Sequence, residues 1–170
     1  MGHPDKTPAR VVFIANYFRF LFAIMFIHLN CHSNYSFLAS ALQDSANDGS
    51  ISSHVVGGGA NKIDDLVQHA SALGCSALAL TDTNGLYGAV PFFQSARKAG
   101  IKPIFGTEIV QGTKRAILLA KNLQGFAELC RVITDRHLKP NFSLTERLKQ
   151  CGNNIIILCS DEQIIQPLLS

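Results

Sequence analysis

Side chains of the metal-binding type fall at the ends of apolar runs in this chain. His28 to His32 close one run, Asp82 closes a second, and Glu108 follows a third. Each run reads as a short buried strand followed by a loop and usually a helix. In barrels of alternating strand and helix, side chains at the carboxyl ends of the strands converge on one face, where the chemistry sits. Residues far apart in sequence would then share one pocket. The arrangement points to a metal-type phosphoester site.

The elements that must position these groups follow from periodicity. Phe26–Cys31 is a strand, and the polar stretch from Ala39 to Gly59, with its Gly57-Gly58-Gly59, reads as an exposed, mobile loop. No Lys-Ser/Thr follows the triplet, as a phosphate-cradling P-loop requires. Asn61 can cap a helix whose apolar stripe is Ile63, Leu66, Val67, Ala70 and Leu73. Asp64 and Asp65 favour the dipole of its first turn. Gly74 ends it, and Ser76–Leu80 is the next strand. Pro91 opens a helix through Lys98, and Lys102–Phe105 is a strand that ends before Glu108. Arg115–Ala120 is another apolar run, followed by a helix over Gly125–Thr134. Ser143 and Glu146 resemble a capping box for a helix to about Gln150, and Ile155–Cys159 is the last strong strand. This alternation predicts a parallel α/β layout with about five strands. A closed barrel of the kind needs about 200–250 residues, so the barrel is expected to be unfinished at Ser170.

The totals narrow the class. A hydrophobic content of 47% with 16% charged residues suits one domain with a real core, and a net charge of +3 does not by itself argue for nucleic acid. The five cysteines are an odd number with no C-x-x-C pair. They predict free thiols, no disulfides and a cytoplasmic location. Val11–Ile27 is almost wholly apolar but carries Arg19 near its middle. It is also shorter than the roughly 20 residues of a membrane span. Residues 1–24 are read as an extension upstream of a start at Met25, with no membrane expected and an anchor as the rival reading.

At this point a resemblance is specific. The segments MFIHLNCHSNYSFL, KIDDLVQHASALGCSALALTDTNGLYGAV, FFQSARKAGIKPIFGTEI, RAILLAKNLQGFAELCRVI and NNIIILCSD run in order from Met25 to the end. Together they resemble the PHP (polymerase and histidinol phosphatase) domain at the amino terminus of bacterial DNA polymerase III alpha subunits. The resemblance implies a partial (β/α) barrel over residues 25–170, incomplete against a seven-stranded whole. An insertion lies at about 41–58.

In metal-binding members of the family the first strand ends in His-x-His, the second in Asp-His, and a Glu follows the third. Such imidazoles and carboxylates hold Zn or Mn, which activate water and clamp phosphoryl oxygens. Carried over, His32, Asp82 and Glu108 match family ligands, while Asn30 and Thr83 stand where His is expected. Asn and Thr are poor Zn ligands, so the resemblance implies a degenerate site with no certain cofactor. His28 shares a strand face with His32 but is expected deeper, as a packed residue. Tyr35 and Ser36 belong to the family signature and are phosphate candidates or loop packing. Asn84-Gly85 and Gly88 read as turn formers. Lys102, Lys114 and Arg115 could meet DNA backbone or be solvated surface.

By resemblance, the intact protein is a replicative or error-prone DNA-directed DNA polymerase. It would have Mg in its downstream core, with DNA and other replisome subunits as partners. This chain would then be a structural module with a decayed phosphoesterase or 3′-to-5′ exonuclease site, inactive alone. The rival reading is a free-standing PHP phosphoesterase, acting on an ester such as histidinol phosphate.

Overall fold

A computed structural model describes residues 26–36 and 61–169 of the chain. The apolar extension and the insertion at 41–58 lie outside the described residues, apart from the last residues of the Val11–Ile27 run.

Helix α1, Ile63–Ala72, buries Ile63, Val67 and Ala70, spaced four and three apart, and turns Asp64 and Asp65 to solvent. Its N-cap is Lys62, without a side-chain cap. Asn61 does not serve as the cap; its carbonyl accepts from the Asn34 N–H at 3.0 Å and ties the first loop down. Strand β1, Ala77–Leu80, is buried throughout. Helix α2, Ala89–Lys98, begins two residues before Pro91 and buries Ala89, Phe92 and Ala96.

The next strand departs furthest from expectation. β2 runs from Lys102 to Gln111, so Glu108 sits within it and not after it. β3, Lys114–Ala120, follows across Gly112-Thr113 and pairs antiparallel, from Gln111↔Lys114 to Gly106↔Leu119. A loop of two residues permits only a hairpin, because a parallel crossover takes a dozen residues or more. Gly112 meets the turn's need with φ +59°, as a glycine in the first central position does in tight hairpins. The predicted all-parallel layout is therefore wrong in its second half.

Helix α3, Leu123–Leu138, is longer than its apolar pattern suggested and is capped by Asn122, whose Oδ1 accepts from the Gly125 N–H at 2.9 Å. Helix α4, Leu144–Lys149, has Ser143 as its cap, with Oγ accepting from the Glu146 N–H at 3.4 Å. Only that half of the capping box forms, since the Glu146 carboxylate turns to Lys149. β4, Ile155–Leu158, pairs antiparallel with β3, and α5, Glu162–Leu169, closes the described chain.

The sheet order is β1-β2-β3-β4, with β1 parallel to the first half of β2. The segment around His28 adds to the β1 edge through one parallel bridge, His28↔Leu78, and not as a full strand. It is held by Ala79 N–H on the His28 carbonyl and Thr81 N–H on that of Cys31, at 2.9 and 2.8 Å. The described strands make an open mixed sheet that does not close into a barrel. One core packs Ile109, Leu118, Leu129, Val132, Leu144 and Leu148 between the sheet and α3–α4. The other packs Ile63, Val67, Leu78, Leu80 and Phe92 between β1, α1 and α2.

Candidate functional site

The ends of the first segment and β1, together with the middle of β2, meet in one polar cluster. His32, Ser33, Ser36, Asp82, Thr83 and Glu108 all lie in it, so residues up to 76 positions apart are brought together through linked contacts. The three carried-over ligands His32, Asp82 and Glu108 are thus neighbours in one region. His28 is not in the contacts of the cluster; its ring stands edge-on to Phe26 at 4.6 Å.

Asp82 is only 2% exposed. Burying a carboxylate requires donors, and the chain supplies them from one loop. The Ser33 N–H donates to Oδ1 at 2.7 Å, and the Ser33 hydroxyl reaches Oδ1 at 3.0 Å and Oδ2 at 2.8 Å. The Ser36 hydroxyl donates to Oδ1 at 2.9 Å. Ser36 Oγ in turn accepts from the Thr83 N–H at 3.1 Å. Ser36 Oγ also lies 3.1 Å from His32 Nδ1. Tyr35, the other phosphate candidate, packs against the α1–α2 core, and its N–H donates to Ser33 Oγ.

Glu108 is the second buried carboxylate. His32 Nε2 lies 3.7 Å from its Oε2, and the Thr83 hydroxyl lies 3.4 Å from the same oxygen. Arg115 Nη1 is 3.9 Å from Oε1. The hairpin register explains this contact: Arg115 stands opposite Val110, two residues from Glu108 on the same face. At the first of the two positions lacking the expected imidazole, Asn30 Oδ1 accepts from the Thr81 hydroxyl at 2.7 Å. At the other, the Thr83 hydroxyl lies between His32 and Glu108, 3.4 Å from each.

The turn after β1 is stapled to β2. Thr107 Oγ1 donates to the Asp82 carbonyl at 2.9 Å, and the Asn84 N–H to that of Glu108 at 2.8 Å. Asn84 takes φ +50°, a left-handed conformation that Asn tolerates better than most residues. Its Oδ1 accepts from the Val110 N–H, and its carbonyl meets His137 Nε2 at 2.8 Å. These residues carry structure, as their turn-forming types suggested.

The donors fit a resident metal poorly. Among the described residues no three His, Cys, Asp or Glu side chains converge as a metal-holding group. The oxygens of Asp82 are held by Ser33 and Ser36, and the one carboxylate facing an imidazole already has a guanidinium beside it. Ser33 and Arg115 were not singled out as parts of the site from sequence. The available signal was that a buried Asp needs donors, and two serines stand within four residues after His32.

Comparison with known proteins bears on which family pattern applies. Residues 50–165 match the family model described as PHP domain. The chain belongs to the PHP domain family. An error-prone DNA polymerase of Symbiobacterium thermophilum is 40% identical over 114 residues, 66% of this chain and 9% of that protein. The DNA polymerase III subunit alpha of Borreliella burgdorferi is 33% identical over 133 residues, 69% of this chain and 10% of that protein. The resemblance to the PHP domain of such subunits therefore holds over most of the chain, which spans about a tenth of these relatives' length. An amidohydrolase structure from Chromobacterium violaceum overlaps 65% of this chain and 34% of its own, at 21% identity and a TM-score of 0.42. That overlap is too partial to bear on function.

Proposed function

We propose that this PHP domain is the amino-terminal module of a replicative or error-prone DNA polymerase III alpha subunit, serving as a scaffold whose metal-dependent phosphoesterase or exonuclease site has closed on itself. The observation that carries the reading is the state of Asp82. A carboxylate already accepting from Ser33 and Ser36 has little capacity left for a cation. Arg115 brings its guanidinium beside Glu108, and Asn30 and Thr83 replace two imidazoles with weak ligands. The polymerase context rests on the named relatives. In it, DNA and other replisome subunits would be met by the whole cytoplasmic protein, and nucleotidyl transfer would belong to regions beyond this chain.

Two measurements test the proposal. Mn²⁺ and Zn²⁺ binding to the full chain is followed by calorimetry and metal analysis, beside the double variant Asn30→His, Thr83→His. Outer ligand partners alone change metal affinity about 10–100-fold, so restoring two direct ligands is expected to raise affinity by at least about 100-fold over the unmodified chain. Stoichiometric tight metal in the unmodified chain, with 3′-to-5′ cleavage of DNA that Asp82→Asn abolishes, would sink the scaffold reading. The polymerase context is checked in the genome: a polymerase core encoded after the Ser170 codon supports it, and unrelated sequence there overturns it.

A further inference from the structure

Away from the polar cluster, a cleft of about 1380 Å³ opens between α2, α3 and the sheet. Its walls are apolar, with Val90, Phe93, Phe105, Leu123, Phe126 and Ile156 among them. Val90, Phe93 and Leu123 are 67%, 45% and 79% exposed, so three of the large exposed apolar side chains border one opening. Contiguous exposed apolar surface of this kind marks an interaction site more often than scattered single residues do. Arg97, Lys98, Lys102 and Lys121 border the same opening, and among the described residues no acidic side chain lines it. None of the four enters an ion pair among the described residues.

Two features decide what kind of occupant fits. β1 takes one edge of Lys102–Phe105, and β3 joins the other edge only from Gly106. Pro103 leaves that stretch without one backbone donor, so added-strand pairing is poor there and side chains must carry the contact. The aromatic rings are also engaged with each other. Phe105 lies edge-to-face with Phe92 at 6.0 Å and with Phe126 at 5.5 Å, and beside Phe93 at 6.5 Å. Stacking of nucleic-acid bases needs open ring faces, which this packing restricts.

We infer that the cleft docks an acidic amphipathic protein segment, its apolar face seated between α2 and α3 and its carboxylates on Arg97, Lys98, Lys102 and Lys121. The apolar contact supplies the attraction, and the cationic rim selects the partner by charge. This surface does not depend on the proposed fate of the polar cluster.

The probe is a synthetic amphipathic peptide of about 18 residues, five turns of helix. It carries Leu and Phe at i, i+3, i+4 and i+7 and Glu elsewhere, and a twin carries Lys in place of Glu. Fluorescence anisotropy with the full chain at low salt is expected to show the acidic peptide binding at least about 10-fold tighter, with the gap narrowing as salt rises. Lys98→Glu with Lys102→Glu should reverse the preference. Val90→Glu, at an exposed position expected to leave the melt unchanged, should weaken the acidic peptide, and the uncharged Val90→Gln should weaken both peptides. Equal affinities, no binding of either peptide, or displacement of the acidic peptide by a single-stranded oligonucleotide would each overturn the inference. So would a dimer that Val90→Glu dissociates, or a large gain in affinity on deleting residues 1–24. Those results would place a second copy or the chain's own apolar terminus in the cleft.

Discussion

Asp82 and the two serines that hold it form a buried polar unit. Removing one partner of a buried charged hydrogen bond leaves the rest unsatisfied and costs more than the bond is worth. Asp82→Ala is therefore expected to destabilise the chain by about 2–3 kcal/mol, read from urea denaturation, with Ser33→Ala costing less because Ser36 remains. A loss near zero for Asp82→Ala would mean that the carboxylate does not organise the loop. The thiols differ in the same local way. Burial pushes Cys151 up to about 11, with Arg147 pulling the other way, and burial also raises Cys31. Because the thiolate is the reactive form, iodoacetamide at neutral pH should modify exposed Cys130 first and Cys151 far more slowly, as peptide mass mapping would show.

Between elements, the decisive contacts are those that fix α3. Arg147 of α4 reaches both Glu128 and Asp135 of α3, the pairs measuring 2.5 and 2.8 Å. Burial alone would raise the Glu128 carboxyl, but hydrogen bonds from Arg147 and Arg131 outweigh it and hold the group below its ordinary value. The Asp135 carboxyl is held low first by Lys139, against burial, with Arg147 adding to it. Carboxyls lowered in the folded state contribute stability above their unfolded values, near 4, and lose it as pH falls through the folded ones. Arg147→Leu should cost about 2–3 kcal/mol at neutral pH through the pair with Glu128, less than a fully enclosed pair. The difference from the unmodified chain should shrink below about pH 4. A difference independent of pH would show packing, not charge, at work. α3 also approaches the loop before β4 closely: a Cβ on Gly125 would lie 2.2 Å from the Asn154 carbonyl oxygen. Since that neighbour is backbone, Gly125→Ala should cost about 1–3 kcal/mol, measured by thermal melting.

Across the whole molecule, stability should be uneven. The larger core lies under β2, β3 and β4, whereas the first segment joins β1 by one bridge and two backbone hydrogen bonds. Local opening follows such differences in buried contact. In amide exchange, Ala79 and Thr81, which donate to that segment, should lose protection before the amides between β2 and β3. The reverse order would place the stable nucleus at β1.

Much of this was legible in the sequence because it depends on near neighbours. The stripe of Ile63, Val67 and Ala70, the cap at Ser143 and the short buried strands follow from spacing within one or two turns or pleats, whereas the cap expected at Asn61 did not form. The ordered motifs placed the chain in its family, and they also showed Asn30 and Thr83 standing where imidazoles were expected. Tertiary structure decided the rest. Whether Gly112-Thr113 ended one strand or joined two depended on where Lys102–Gln111 found its partners. That register alone set Arg115 beside Glu108. Asp82 and Ser33 are 49 residues apart, and only the parallel seating of the first segment on β1 joins them. Periodicity reports which face of an element is buried. The partner that a buried charge meets there is chosen by strand register and chain crossing, which no local spacing encodes.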